Sequence, residues 1–265
     1  MGGLKIKNPA TGLYEFGAGV YPASNEVWDD VALGVIGEAR GDSAIVVGSG
    51  NVPNIAPLID GLGSVCFADI ATGHEDVFEA KRRSLELGYV FEDDPHRKDL
   101  YTMMGHNFED ELRLEAMRFD LTRPSSPLHI VNNPKSAEDF LKCAAGLSTS
   151  TAEVDFTDPD NVSALPDELG RVAWVHISNL VPFSLPAFST ASDKRTVFGG
   201  IAAFLSLIPG IQSDTSVSFS RFTNFGSFEL LVDVFNYGDL DLRVLCEDGE
   251  RRDSVEEVVE KIYIS

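Results

Sequence analysis

Basic residues are scarce in this chain: 21 lysines and arginines stand against 42 aspartates and glutamates, for a net charge of −21. Such a surface repels phosphate backbones and anionic headgroups at long range, which argues against nucleic acid and membrane as partners. The same acidity would serve solubility at high salt. Cysteine is also sparse. Cys66, Cys143 and Cys246 lie far apart with no CxxC pair, so they read as buried thiols rather than a disulfide framework. No stretch approaches the roughly twenty apolar residues of a membrane span. The lysines of "MGGLKIKNPATG" have no apolar segment behind them, so no secretory signal is expected and the expected compartment is the cytoplasm. Internal repeats, low-complexity segments and a GxSxG nucleophile motif are missing too. His74, His96, His106, His129 and His176 are not at metal-ligand spacing, and no metal is expected. His74 and His106 fall in predicted loops near the site described below and are acid/base candidates.

What is present is an alternation of apolar periods. Ser24 is positioned to cap a helix with Val27, Val31, Val35 and Ile36 on one face. "SAIVVG" then reads as a central strand buried on both sides. A helix carrying Ile55, Leu58, Ile59 and Leu62 follows it, with Asn54 as a cap and Pro57 in its first turn. "SVCFADI" is a second strand, and "TGHE" has capping-box spacing ahead of a helix through "VFEAKRRSLEL". Residues 89–112 are expected to be a helical insertion, 112–121 a third strand, and 136–145 a helix followed by a polar loop. The fourth strand is expected at 171–180 and the next helix in "VFGGIAAFLSLIPG". "TSVSFSRF", "FELLVDVF" and "LDLRVLCE" are further strands, the last two joined by the hairpin-type turn "NYGD", and "SVEEVVEKIY" is a closing helix. The expected fold is α/β: a doubly wound, mostly parallel Rossmann-like sheet with helices on both faces and a C-terminal antiparallel hairpin. Residues 1–42 form an N-terminal arm and helix in this reading, and 43–265 a single domain.

The stretch "AIVVGSGNVPNI" carries the functional question. Gly48 and Gly50 let backbone approach a ligand beyond the first strand, and Asp69 ends the second strand about twenty residues later, where a carboxylate can accept from ribose hydroxyls. A dinucleotide site wants a further glycine where Pro53 stands, since a pyrophosphate needs helix N-terminal amides and proline has none. S-adenosylmethionine carries no phosphate. Through "AIVVGSGNV", Asp69, "FDL" at 119–121 and "LIPGIQSDTSVSFS", the chain resembles the class I S-adenosylmethionine-dependent methyltransferases over most of residues 24–222. It departs from that pattern at Val46, where the family usually has an acid, and at Val52, where a third glycine is often found. The resemblance implies S-adenosylmethionine as cofactor, held by Gly48, Ser49, Gly50, Asn51, Asp69, Ile70, Asp120, Leu121 and Ser178, with Asp120 at the adenine amino group.

"HISNLVPF" supplies the other half of the expected site. It is similar to the Asn-Leu-Pro-Tyr segment of methyltransferases acting on amino nitrogen, which implies catalytic roles for Ser178, Asn179 and Phe183. "SNL" is also similar to enzymes that transfer the 3-amino-3-carboxypropyl arm of the same cofactor and release methylthioadenosine. A plain helix cap at Ser178 and Asn179 remains an alternative, as do an NAD(P)-binding oxidoreductase and a non-catalytic cofactor-binding module. The expected partner is a small-molecule acceptor, with a homodimer left open.

Overall fold

The computed structural model describes residues 6–7, 14–15, 26–28, 30–47, 52–70, 74–75, 78–79, 82, 134–178, 191–222 and 230–237. Two short strands, β1 (Ile6–Lys7) and β2 (Tyr14–Glu15), pair antiparallel on their own. β3 (Glu26–Val27) leads into helix α1 (Asp30–Glu38), whose first-turn Asp30 complements the helix dipole. This helix starts later than the Ser24 cap suggested. Val27 belongs to a strand instead, and Val31 is 75% exposed while Ala32 and Ile36, one turn apart, are buried. The sequence pattern favoured the valines, but the small Ala32 makes the contact.

β4 (Ser43–Val47) is buried at all five positions. After it come α2 (Val52–Ile55), a 3-10 turn at Ala56–Leu58, and β5 (Ser64–Asp69). Residues 74, 75, 78, 79 and 82 are helical, the first two within "TGHE" itself and the others in the helix expected through "VFEAKRRSLEL". Next are α3 (Pro134–Ala144), β6 (Ser148–Glu153), a 3-10 segment Pro159–Ala164, and β7 (Val172–Ile177). Helix α4 (Ala191–Leu207), β8 (Ser216–Phe222) and β9 (Leu230–Asn236) complete the described elements. The expected insertion at 89–112, strand at 112–121, strand "LDLRVLCE" and closing helix lie outside the described residues.

The main sheet has the order β3-β9-β8-β7-β4-β5-β6. β6, β5, β4, β7 and β8 run parallel, and β9 is antiparallel to β8. The expected doubly wound, mostly parallel sheet with an antiparallel C-terminal pair is therefore present, the pair among the described residues being β8 with β9; the second strand of the hairpin expected at "NYGD" lies outside the described residues. A second correction concerns β6. Residues 148–153, read as part of a polar loop, form a strand beside β5. β6 is built mostly from serine and threonine and is buried only at Ala152, so it lacks the apolar run that marked β4 and β5.

Both faces of the sheet are covered. On one, Ile45, Val47, Val175, Ile177, Val217 and Phe219 pack against Phe198, Ile201, Phe204 and Leu205 of α4. On the other, Val46, Phe67 and Trp174 meet Ile36, Ile55, Phe78 and Phe140. Each such side chain contributes roughly 1.5–3 kcal/mol by leaving water. Ser43 pairs with Val172 but Ala44 with Trp174, so Ala173 is an extra residue in β7. The bulge turns Ala173 and Trp174 to the same face. At the foot of β7, the Val172 amide donates to Gly210 O at 2.9 Å, and both Gly170 (φ 63°) and Gly210 (φ 86°) adopt the left-handed conformation.

Candidate functional site

The chain winds outward from β4 in two directions, through β5 to β6 and through β7 to β8. The strand order reverses between β4 and β7, and in open α/β sheets the crevice beyond the carboxyl ends at such a point takes the ligand. Val47 and Ile177 are register partners at that edge. Ser178 therefore emerges, half-buried, from the strand next to the one that leads into Gly48. Asp69 stands two residues past Phe67, the partner of Val46, so the carboxylate lies at the same edge.

Asp69 ends β5 because four buried residues, Val65 to Ala68, give way there to a charge. Its side chain is 14% exposed. Its Oδ2 accepts a hydrogen bond from Nε2 of His74 at 2.9 Å, since a carboxylate can only accept. His74 is helical rather than in a loop, and its ring is 2% exposed. Its Nδ1 is buried without a hydrogen-bond partner among the described residues. The next residue, Glu75, accepts from the Thr149 hydroxyl and so ties this helical segment to β6. Ile70, beside Asp69, is 55% exposed, an apolar surface at the edge of the crevice.

The register also brings Glu153 opposite Asp69, and the Val154 amide donates to Asp69 O at 3.1 Å. Asp155 follows, with Oδ1 accepting from the Thr157 amide at 2.8 Å and the Thr157 hydroxyl at 2.6 Å. Glu153 is the register partner of Asp69, and Asp155 lies two residues past Glu153, beyond the end of β6; the sequence reading passed over both. The period-two run of β-branched residues in "STSTAEVD" was the signal available for β6. Asp120 and Leu121 lie outside the described residues, as do Gly48, Ser49, Gly50, Asn51, Asn179, Phe183 and His106. Of the expected site residues the structure thus brings Asp69, Ile70 and Ser178 to one edge of the sheet.

Below that edge lies a buried polar knot in an aromatic setting. Ser218 Oγ accepts from Trp174 Nε1 at 2.8 Å and bonds His176 Nδ1 at 2.7 Å. The His176 ring stacks on Trp174 (5.4 Å, 26°) and tilts against Trp28 (5.3 Å, 45°). His176 is the register partner of Val46, one residue short of the crevice, and is buried. Its ring underpins the crevice and is not open to it.

α2 is only four residues long, includes Pro53 near its start, and passes directly into a 3-10 turn. A pyrophosphate needs a run of free amides at a helix N-terminus. This segment does not offer one. Among the described residues, no three His, Cys, Asp or Glu side chains gather as a metal site, and no helix is long and apolar enough to cross a membrane.

No family model matches the sequence, and no curated protein matches it. Among solved structures, the chain is similar to the rRNA methyltransferase aviRa from Streptomyces viridochromogenes, with a TM-score of 0.38 and 10% identity over 75% of this chain and 73% of that one. A likeness this distant says nothing of substrate.

Proposed function

We propose that this protein is an S-adenosylmethionine-dependent transferase that moves a methyl group to a small-molecule acceptor. The observation that carries the reading is the pairing of a carboxylate, Asp69, and an exposed apolar side chain, Ile70, at the switch-point edge with a helix too short and too proline-bound for a pyrophosphate. That combination suits a nucleoside without phosphates. The reversed direction of β9 also departs from the sheet of six parallel strands that binds dinucleotides. The net charge of −21 favours a small acceptor over an RNA.

In this reading the Asp69 carboxylate receives the ribose hydroxyls, Ile70 packs against the adenine, and the glycines at 48 and 50 let the backbone approach the amino-acid arm. S-adenosylmethionine supplies a carbon made electrophilic by its sulfonium. The protein's part is to align the acceptor behind that carbon and to exclude water. Ser178 follows β7 at the crevice, and with Asn179, the next residue of the sequence, is assigned that alignment. A dedicated base is not required.

Incubation of the protein with S-adenosylmethionine and a metabolite extract, followed by mass spectrometry of the nucleosides, tests this. S-adenosylhomocysteine is the expected product. Methylthioadenosine would transfer the reading to the aminocarboxypropyl branch, and binding without either product would leave a cofactor-binding module. Binding of NAD and not of S-adenosylmethionine would end the proposal.

A further inference from the structure

Asp69 is held from two sides. Its backbone carbonyl accepts the Val154 amide of the strand edge, and its side chain accepts Nε2 of His74 at 2.9 Å. The imidazole is itself immobile, 2% exposed, in a helical segment anchored to β6 through Glu75 and Thr149. Its second nitrogen, Nδ1, is buried with no partner among the described residues. Burying an unpartnered nitrogen disfavours folding. An apolar side chain in so buried a position would suit stability better. The bond to Asp69 is what the imidazole adds.

We infer that His74 is a positioning residue which sets the orientation of the Asp69 carboxylate toward a ribose diol. This rests on the reading of the site as a nucleoside site. A carboxylate at a strand end turns freely about two side-chain torsions, and a diol is gripped only when both oxygens face it. Fixing those torsions before the ligand arrives removes an ordering cost from binding. His74 contacts no ligand in this scheme and acts only through Asp69.

Calorimetry with S-adenosylhomocysteine and with its analogue lacking the 2′- and 3′-hydroxyls tests the assignment. His74→Phe keeps a planar ring but has no donor, and it should weaken S-adenosylhomocysteine about five- to tenfold, the size of one lost hydrogen bond, while barely changing the analogue. His74→Gln, whose amide can reach Oδ2, should return affinity to within about twofold of wild type. Unchanged binding in His74→Phe, or an equal loss for both ligands, would overturn the inference. Should His74→Phe fail to fold, His74→Asn against His74→Gln carries the same test, because the shorter amide cannot reach Asp69. Equal affinities of those two for S-adenosylhomocysteine would again overturn it. If the wild-type protein binds neither nucleoside, the cofactor reading falls and takes this inference with it. Wild-type binding with indifferent variants removes His74 alone.

Discussion

Two glycines with nearly the same backbone conformation are expected to respond very differently to the same methyl group. Gly61 has φ 84° and Gly210 φ 86°, so alanine at either must adopt the left-handed conformation, at about 1–2 kcal/mol. At Gly61 a Cβ would meet nothing closer than Gly41 O at 3.9 Å. At Gly210 it would overlap the carbonyl oxygen of Gly170, with Val172 N at 3.5 Å. That neighbour is backbone, itself held in a left-handed turn at φ 63°, and cannot swing aside as a side chain would. Displacing it strains the Val172 to Gly210 hydrogen bond that starts β7. Overpacking of this kind adds roughly 1–3 kcal/mol. Gly210→Ala should therefore be less stable than Gly61→Ala by about 1–3 kcal/mol, or roughly 2–12 °C in Tm at ~2–4 °C per kcal/mol. Urea unfolding of both variants, with m-values compared, measures it. If the two lie within about 0.5 kcal/mol of each other, the turn at the foot of β7 is looser than described and the steric argument is wrong.

Ser218→Ala leaves the Trp174 indole without its acceptor and removes the His176 Nδ1 bond, so roughly 2–4 kcal/mol should be lost, read by urea unfolding; a loss under about 0.5 kcal/mol would mean water replaces the hydroxyl. Burial pushes both the Cys66 and the Cys143 thiols above the usual cysteine range. Since the thiolate is the reactive form, iodoacetamide at pH 8 should label Cys66 slowly in the native protein and faster as pH rises, with a marked increase on unfolding. Mass spectrometry of the labelled peptides follows each thiol separately, and native labelling of Cys66 as fast as in the unfolded chain would contradict its burial.

The central strands were legible because β4, β5 and β7 are buried on both faces, and such strands write themselves as apolar runs closed by a glycine, an acid or a serine. β6 was not. Among the described strands it is the sheet's edge, made of Ser148, Thr149, Ser150 and Thr151 and held by backbone pairing to β5, and its polarity reads as loop. The sheet sets Glu153 opposite Asp69, an acid the sequence reading passed over, while Asp120 lies outside the described residues. β3 escaped for another reason: its partner is β9, so nothing local marks Glu26 and Val27 as a strand. Asp69 itself was legible from strand end and offset. The His74 bond was not, because five residues of spacing identify no contact until the turn between strand and helix is in three dimensions.

The pairing of Glu26 with Leu230 also sets a schedule. About two hundred residues separate the partners, and a ribosome adding ~5–20 residues per second needs roughly 10–40 s to make them. For all that time α1 and Trp28 have no Val232 to pack against, although they share one core in the finished protein. The first helix of the sheet is thus among the last to be locked, and its buried Ala32 and Ile36, with Trp28 just ahead of it, wait for β9 until synthesis is nearly done.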